Sequence, residues 1–119
     1  YLFYNTEGHG NGIKVASTTD LTSGKWTEQP DYKQLTDDAV EGAGTFKLIG
    51  QDKYILMYDV YMKGGYDFTE TEDFVTFDPV KEKVSMDFHP RHGTVIPLTA
   101  EEMARLRARW AIPDPGCCR

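Results

Sequence analysis

The sequence predicts an all-β fold made of propeller blades, about two blades plus a closing strand, with a short C-terminal helix. When the 119-residue chain is slid against itself by 53 positions, Gly12 aligns with Gly65 and Asp20 aligns with Asp73. Each aligned stretch is made of short strands and turns and is preceded by an aromatic strand. A repeat of about 50 residues that contains only strands and turns is typical of propeller blades.

The first copy, residues 1–30, is predicted to be an incomplete blade. Residues 1–4 read as an aromatic strand, and residues 13–17 alternate with the period of two that half-buried strands show. A polar turn follows and is closed by Trp26. Only three strands can be placed in this copy, so its innermost strand is missing.

The second copy, residues 41–80, is predicted to be a full four-stranded antiparallel blade. Glycine-containing turns at 50–52 and 62–65 separate the apolar and alternating runs. The four predicted strands are residues 44–49, 53–61, 66–71 and 76–79.

Beyond the second copy the pattern changes from strand to helix. Residues 91–98 read as the closing strand, and residues 99–110 read as a helix. Thr99 followed by Glu102 is the spacing of a capping box, which marks a helix start. Residues 111–119 are a tail whose two adjacent cysteines cannot easily bridge each other.

Charge and hydropathy exclude two classes of partner. The formal net charge is −6, from 13 Lys and Arg against 19 Asp and Glu, and no basic stripe is present to neutralise phosphates. We therefore expect no nucleic-acid partner. No apolar run approaches the roughly 18 residues that cross a bilayer, so we expect a soluble chain without membrane contact. Its compartment, whether cytoplasmic, periplasmic or secreted, stays open.

The chain is expected to be part of a larger assembly. Its length suits one folding unit, but residue 1 falls within a predicted strand. A partial blade beside a full blade leaves sheet edges exposed. We expect either that a longer protein supplies the rest of the ring or that copies of this chain associate to close it.

Two polar clusters stand directly before apolar strands and suggest one shared site. Glu41 lies in a glycine-rich turn before residues 44–49, and Arg91 and His92 lie before residues 95–98. An acid presented at a strand start suits a proton donor. The spacing also allows Glu41 to cap a turn or to pair with a lysine, and His92 to be hydrogen-bonded within the strand mouth.

Together these motifs resemble the C-terminal part of glycoside hydrolase family 43, over roughly residues 1–110. The segments that carry the resemblance are IKVASTTDL at 13–21 with Trp26, VEGA at 40–43, FKL at 46–48, KYILMYD at 53–59, RHGTVIPLT at 91–99 and the acidic pair at 101–102. The resemblance implies a five-bladed propeller that hydrolyses arabinofuranosides or xylosides of plant polysaccharides with inversion at the anomeric carbon.

By the same resemblance, Glu41 is the general acid, in a motif where Ala43 replaces the usual proline. The family's base and its acid-tuning aspartate would precede Tyr1, so oligomerisation would have to complete the site. The local carboxylates that could stand near Glu41 are Asp37, Asp38, Asp59 and Asp87.

The resemblance also implies a Ca²⁺ ion near His92, held largely through water. Calcium prefers oxygen ligands, so a single histidine makes this a loose site. Arg91, Tyr58 and Asp59 are the predicted contacts to an oligosaccharide or aryl glycoside substrate. Two other functions remain open, a non-catalytic carbohydrate-binding propeller module and an inert fragment of a longer glycosidase.

Overall fold

A computed structural model of the protein describes residues 1–6, 12–81, 84–86, 88 and 91–111. Most of the predicted tail, residues 112–119, lies outside the described residues, and so does Asp87. Two antiparallel sheets and one C-terminal helix make up the described fold, which is consistent with a partial propeller.

The first sheet contains three strands in the order in which they occur along the chain. They are β1 (Leu2–Thr6), β2 (Gly12–Ser17) and β3 (Thr27–Glu28). The central strand β2 is buried at four of its six positions, as expected for a strand with a neighbour on both sides. The number of strands matches the three that the sequence places in this part of the chain.

The second sheet is a four-stranded meander with the order β4-β5-β6-β7. Short turns join the strands, which is the connection that antiparallel neighbours allow. The strands are β4 (Glu41–Lys47), β5 (Tyr54–Val60), β6 (Gly65–Thr71) and β7 (Asp78–Pro79). The structure begins β4 at Glu41, three residues before the predicted start, and thereby places the candidate acid on the strand itself.

Residues 91–98 do not form the strand that the sequence predicts. They run as irregular chain, and residues 95–98 face residues 45–52 across a groove of about 1080 Å³. Strands in a ladder lie about 4.7–4.9 Å apart, so a segment separated by an open groove cannot pair with β4. Val95 and Ile96 of this segment are exposed.

The helix α1 (Ala100–Trp110) begins with the expected capping box. The Thr99 hydroxyl accepts from the Glu102 backbone N–H, while the Glu102 side chain accepts from the Thr99 backbone N–H. None of its residues is buried. Among the described residues, no helix is long and apolar enough to cross a membrane.

The core lies between the two sheets. Along β5 the side chains of Leu56, Tyr58 and Val60 point to one face, where they join Ile13 from β2. Further members of this cluster are Val40 and Phe77, with Phe3 and Ala43 packed against it. The residues between them on β5, including Asp59, therefore point to the opposite face of the blade.

We predict that Leu56→Ala lowers the free energy of unfolding by about 2–5 kcal/mol, because it removes a fully buried side chain and leaves a cavity. Urea denaturation followed by circular dichroism measures the change. The matched control is Ile49→Ala, since Ile49 is 86% exposed and its loss is expected to cost less than about 0.5 kcal/mol. Equal effects of the two changes would contradict the placement of the core.

Candidate functional site

Glu41 and Asp59 face each other across the first strand pair of the second sheet. Glu41 begins β4, and its register partner on β5 is Asp59. The next paired residues are Gly44 and Met57, so β4 carries an irregularity between Glu41 and Gly44. A bulge of this kind bends the strand and re-aims side chains. The two carboxylates consequently share one face at the end of the blade.

Arg91 and His92 bring two nitrogen groups to these carboxylates. His92 Nε2 lies 3.2 Å from Glu41 Oε1 and 3.9 Å from Asp59 Oδ2. Arg91 Nε donates a 3.0 Å hydrogen bond to Asp59 Oδ2, and Arg91 Nη2 lies 3.6 Å from Glu41 Oε1. The structure thus unites four of the five residues that the sequence proposed for the site, which we call the acid cluster: Glu41, Asp59, Arg91 and His92.

Asp59 is the most enclosed member of the acid cluster, with 1% of its surface exposed. A carboxylate this far from water needs a cation or several donors. Arg91 supplies the cation, and the hydrogen bond to Asp59 raises the pKa of the Arg91 guanidinium. Arg91 contacts Asp59 from the solvent side: 72% of the Arg91 side chain is exposed, whereas the Asp59 side chain is 2% exposed.

Glycines allow residues 91–93 to approach β4 closely. Gly42 has a φ of +64°, a left-handed conformation that favours glycine. A Cβ atom at Gly42 would lie 2.6 Å from His92 Cδ2, and one at Gly44 would lie 3.2 Å from the Gly93 carbonyl oxygen. The glycines after Glu41 therefore make room for His92 as well as shaping the turn.

Tyr66 lies beside the acid cluster on β6, the third strand of the second sheet. The sequence analysis did not identify it as a site residue. It lies on β6 directly opposite Asp59. Its hydroxyl oxygen is buried, and no hydrogen-bond partner for it is found among the described residues. Burial raises the pKa of the Tyr66 phenol, and the charge of Asp59 raises it further. The register of the predicted meander was the signal that could have found this residue.

Tyr58 does not reach the acid cluster. It neighbours Asp59 in sequence and so points to the other face of β5, where it is fully buried in the core. Its hydroxyl donates to Asp67 Oδ2 at 3.5 Å and accepts from the Leu35 backbone N–H at 3.4 Å. The prediction that Tyr58 contacts substrate has no support in this position, because the ring offers no accessible face.

Asp37 and Asp38 were also candidates for a position near Glu41, and the structure describes both. Asp38 accepts hydrogen bonds from Lys63 and Thr36, and the Lys63 contact lowers the pKa of Asp38. Asp37 is exposed. Asp38 is therefore paired with Lys63, which lies between β5 and β6, and Asp59 is the carboxylate that the structure places beside Glu41.

The acid cluster could hold a metal ion. One donor atom from each of Glu41, Asp59 and His92 lies within 4.8 Å of the other two. Calcium takes six to eight oxygen ligands, whereas this set offers two carboxylates and a nitrogen, next to the cationic Arg91. These side chains alone do not make a calcium shell. The water-mediated Ca²⁺ near His92 stays a prediction.

The described sheets, with a glutamate, an arginine and a histidine gathered at the start of β4, are compatible with a site for acid–base chemistry. A family model described as a probable glycosyl hydrolase domain, related to glycoside hydrolase family 43, matches residues 1–104, and the chain belongs to this family. No curated protein and no solved structure gives a significant match.

Two conservative changes separate the roles of the blade's tyrosines. Tyr58→Phe removes a hydroxyl that has two partners and is expected to lower the free energy of unfolding by about 0.5–1.5 kcal/mol. Tyr66→Phe removes a buried hydroxyl without a described partner, and it is expected to leave stability unchanged or to raise it by up to about 1 kcal/mol. Urea denaturation of both variants tests this contrast, and a larger loss for Tyr66→Phe would contradict it.

The Tyr58 phenol also predicts a pH dependence of stability. Burial raises the pKa of Tyr58 from its ordinary 10.0 to about 12 in the folded protein. The folded state therefore holds the proton more tightly, and this contribution is complete below pH 10 and lost as the pH rises towards 12. The stability difference between the protein and Tyr58→Phe should shrink between pH 10 and about 12. If the stabilities of the protein and of Tyr58→Phe change with pH in parallel, the raised pKa of Tyr58 is refuted.

Proposed function

We propose that this chain carries the general acid of a glycoside hydrolase that cleaves arabinofuranosides or xylosides of plant polysaccharides with inversion. The observation that supports this most directly is the position of Glu41, which starts β4 with Oε1 3.2 Å from His92 Nε2 and 3.6 Å from Arg91 Nη2. These contacts fix the carboxyl group in orientation. An acid held in this way can meet the oxygen of the leaving group in a defined geometry.

In this mechanism the proton passes from Glu41 to the glycosidic oxygen as the bond to the anomeric carbon breaks. Because the described contacts of Glu41 use Oε1, we assign the transferable proton to Oε2. His92 and Arg91 hold Oε1 and stabilise the carboxylate that remains after transfer. Arg91, which is largely exposed, also has donors to offer to sugar hydroxyls.

Asp59 is an orienting group in this proposal and not the base. An inverting pair of carboxyl groups is about 6.5–9.5 Å apart, which leaves room for the attacking water. The oxygens of Glu41 and Asp59 approach within 4.8 Å, and Asp59 lies under Arg91. Its charge instead holds Arg91 beside Glu41. We propose that association of copies into a ring brings a substitute carboxylate from another copy, which serves as the base.

The same geometry favours a second candidate, a carbohydrate-binding module without turnover. The carboxylate that the structure brings to Glu41 is at the wrong distance for inversion, while the exposed guanidinium of Arg91 remains suited to sugar hydroxyls. A module of this kind would bind arabinose- or xylose-containing oligosaccharides and would release them unchanged.

The test compares hydrolysis of two substrates that differ in their leaving group. Light scattering first gives the mass of the protein in solution, and so its oligomeric state. We expect Glu41→Gln to lower kcat/KM by about 100-fold or more on an arabino- or xylo-oligosaccharide, whose leaving group needs a proton. The loss should be much smaller on the para-nitrophenyl glycoside, since nitrophenolate leaves as a stabilised anion. The control is Glu101→Gln, because Glu101 is exposed on α1 and pairs with Arg105.

Equal losses on both substrates would remove Glu41 from the role of proton donor. Turnover by a defined oligomer would support the shared site. Oligosaccharide binding without turnover, in a folded sample, would favour the binding module.

A further inference from the structure

Two strand edges in the described structure lack a partner strand. In the first sheet β1 is an edge strand, and among the described residues it pairs with β2 alone. Residues 93–98 have the composition of a strand, but they run as irregular chain and pair with no described strand. Exposed edges of this kind are templates for pairing with another chain. The two edges lie at opposite ends of the sequence.

The internal repeat shows that these two edges belong to the same kind of blade. Over the 53-residue offset, β1 corresponds to β5 of the complete blade. Residues 93–96 read Gly-Thr-Val-Ile and correspond to residues 44–47 of β4, which read Gly-Thr-Phe-Lys. In the complete blade β4 and β5 form an antiparallel pair. The first sheet therefore lacks the strand that residues 93–98 resemble.

The position of residues 93–98 beside β4 agrees with this correspondence. A Cβ atom at Gly44 would lie 3.2 Å from the Gly93 carbonyl oxygen, so the equivalent positions of the two segments are neighbours in space. In a propeller the blades surround a central channel, and the innermost strands of successive blades line it side by side. Residues 93–98 thus occupy the place of the innermost strand of a following blade.

We propose that residues 93–96 of one copy pair with β1 of the next copy and complete its first sheet as a four-stranded blade. Each copy gives a strand at its C-terminal end and accepts one at its N-terminal sheet. Such a head-to-tail contact generates a ring when its rotation closes. We call this contact the strand joint. It deepens the association of copies in the proposed function and rests on that part of it.

The register of β4 on β5 predicts which residues meet at the strand joint. It places Val95 opposite Leu2 of the next copy and Ile96 opposite Tyr1 of the next copy. All four side chains are exposed in one copy, by between 45% and 67%. Apolar and aromatic pairs that face each other across two strands stabilise a sheet. The strand joint would therefore bury exposed apolar side chains of both copies.

The two ends of the paired stretch fit the same register. Pro97 follows the last pair, where the missing N–H of a proline leaves the ladder intact. At the other end His92 precedes the first pair, which joins Gly93 to Tyr4 of the next copy. His92 would then border Asn5 of the next copy. The strand joint consequently lies directly beside the acid cluster.

The charges of the two ends also favour a head-to-tail contact. Residues 1–40 contain six acidic residues and three lysines, whereas residues 91–111 contain four arginines and two glutamates. Opposite net charges attract two copies in this orientation. A contact between two N-terminal ends, or between two C-terminal ends, would bring like charges together. The first sheet therefore suits the C-terminal end of another copy better than its own counterpart.

The strand joint determines the number of blades in a closed ring. Each copy accounts for two blades, its own complete blade and one that it shares. Rings of two, three or four copies would have four, six or eight blades, which lies within the range of about four to eight that propellers show. Identical copies joined in this way give an even number, so the ring would differ from the five blades that the resemblance implies.

Disulfide cross-linking between two different variants of the 119-residue chain tests the strand joint. Cys117→Ser and Cys118→Ser form the background, so the introduced thiols are the only ones. Chains with Leu2→Cys are mixed with chains with Val95→Cys, and a tag on one of them separates mixed from like dimers on a non-reducing gel. Facing Cβ atoms lie about 4.5–5.5 Å apart, close to the separation that a disulfide needs. We expect mixed dimers to form at least tenfold faster than with the control Leu21→Cys, at another exposed leucine.

A lysine substitution tests the strand joint without a cross-link. Val95→Lys places a charge at the apolar contact, and the exposure of residue 95 in one copy means that folding is retained, which circular dichroism checks. We expect light scattering to give the mass of two to four chains for the unsubstituted protein and of one chain for Val95→Lys. Leu21→Lys is the matched control and should keep the larger mass.

The outcomes separate the strand joint from the proposed chemistry. A mass of one chain for the unsubstituted protein, or an assembly that Val95→Lys leaves intact, would overturn the strand joint. Cross-links confined to like chains would also overturn it, since they would indicate a symmetrical contact. Assembly that Val95→Lys disrupts, in a protein without turnover, would support the strand joint while the proposed hydrolysis fails. Turnover by a single chain would do the reverse.

Discussion

The contact between Asp59 and Arg91 is the interaction on which the rest of the site depends. Asp59 sits at the end of a central strand with almost no exposure to water, where an unpaired carboxylate would be strongly unfavourable. Arg91, which lies outside the sheet, neutralises this carboxylate with a hydrogen bond. By doing so it ties an irregular segment to the blade and sets His92, the next residue, against Glu41. One buried charge thereby determines where two neighbouring side chains lie.

The strand β5 gives the blade its two different faces. Because successive side chains alternate, Tyr58 closes the core towards the first sheet while Asp59 faces the candidate acid. Burial of the apolar face holds the register of the strand, since a slip of one residue would place Asp59 in the core. The chemistry at the blade end therefore depends on packing on the other side of the same strand.

Much of this architecture could be predicted from the sequence, because its signals are local. Alternation and glycine turns located the meander, and the capping box located α1, since each depends on neighbours in the chain. The shared site could be anticipated because two polar clusters each preceded an apolar run. Residues 91–98 were mistaken for a strand because their composition is strand-like. A strand also needs a neighbouring strand at hydrogen-bonding distance, and the sequence does not say whether one is there. Tyr58 was misjudged because it was placed in the same site as its neighbour Asp59, although alternation along a strand puts the two side chains on opposite faces. Tyr66 was missed because its position opposite Asp59 follows from the pairing of two strands and not from either strand alone.

The acid cluster has two halves with different origins. Glu41 and Asp59 are held by a hydrogen-bonded ladder, whereas Arg91 and His92 stand on chain that belongs to neither sheet and is anchored by side-chain contacts. With Arg91 kept to neutralise Asp59, sequence changes within residues 92–98 can therefore alter which groups approach Glu41 without disturbing the ladder that carries it. For protein engineering, this separation makes residues 92–98 a natural place to vary side chains while the carboxyl group of Glu41 stays in position.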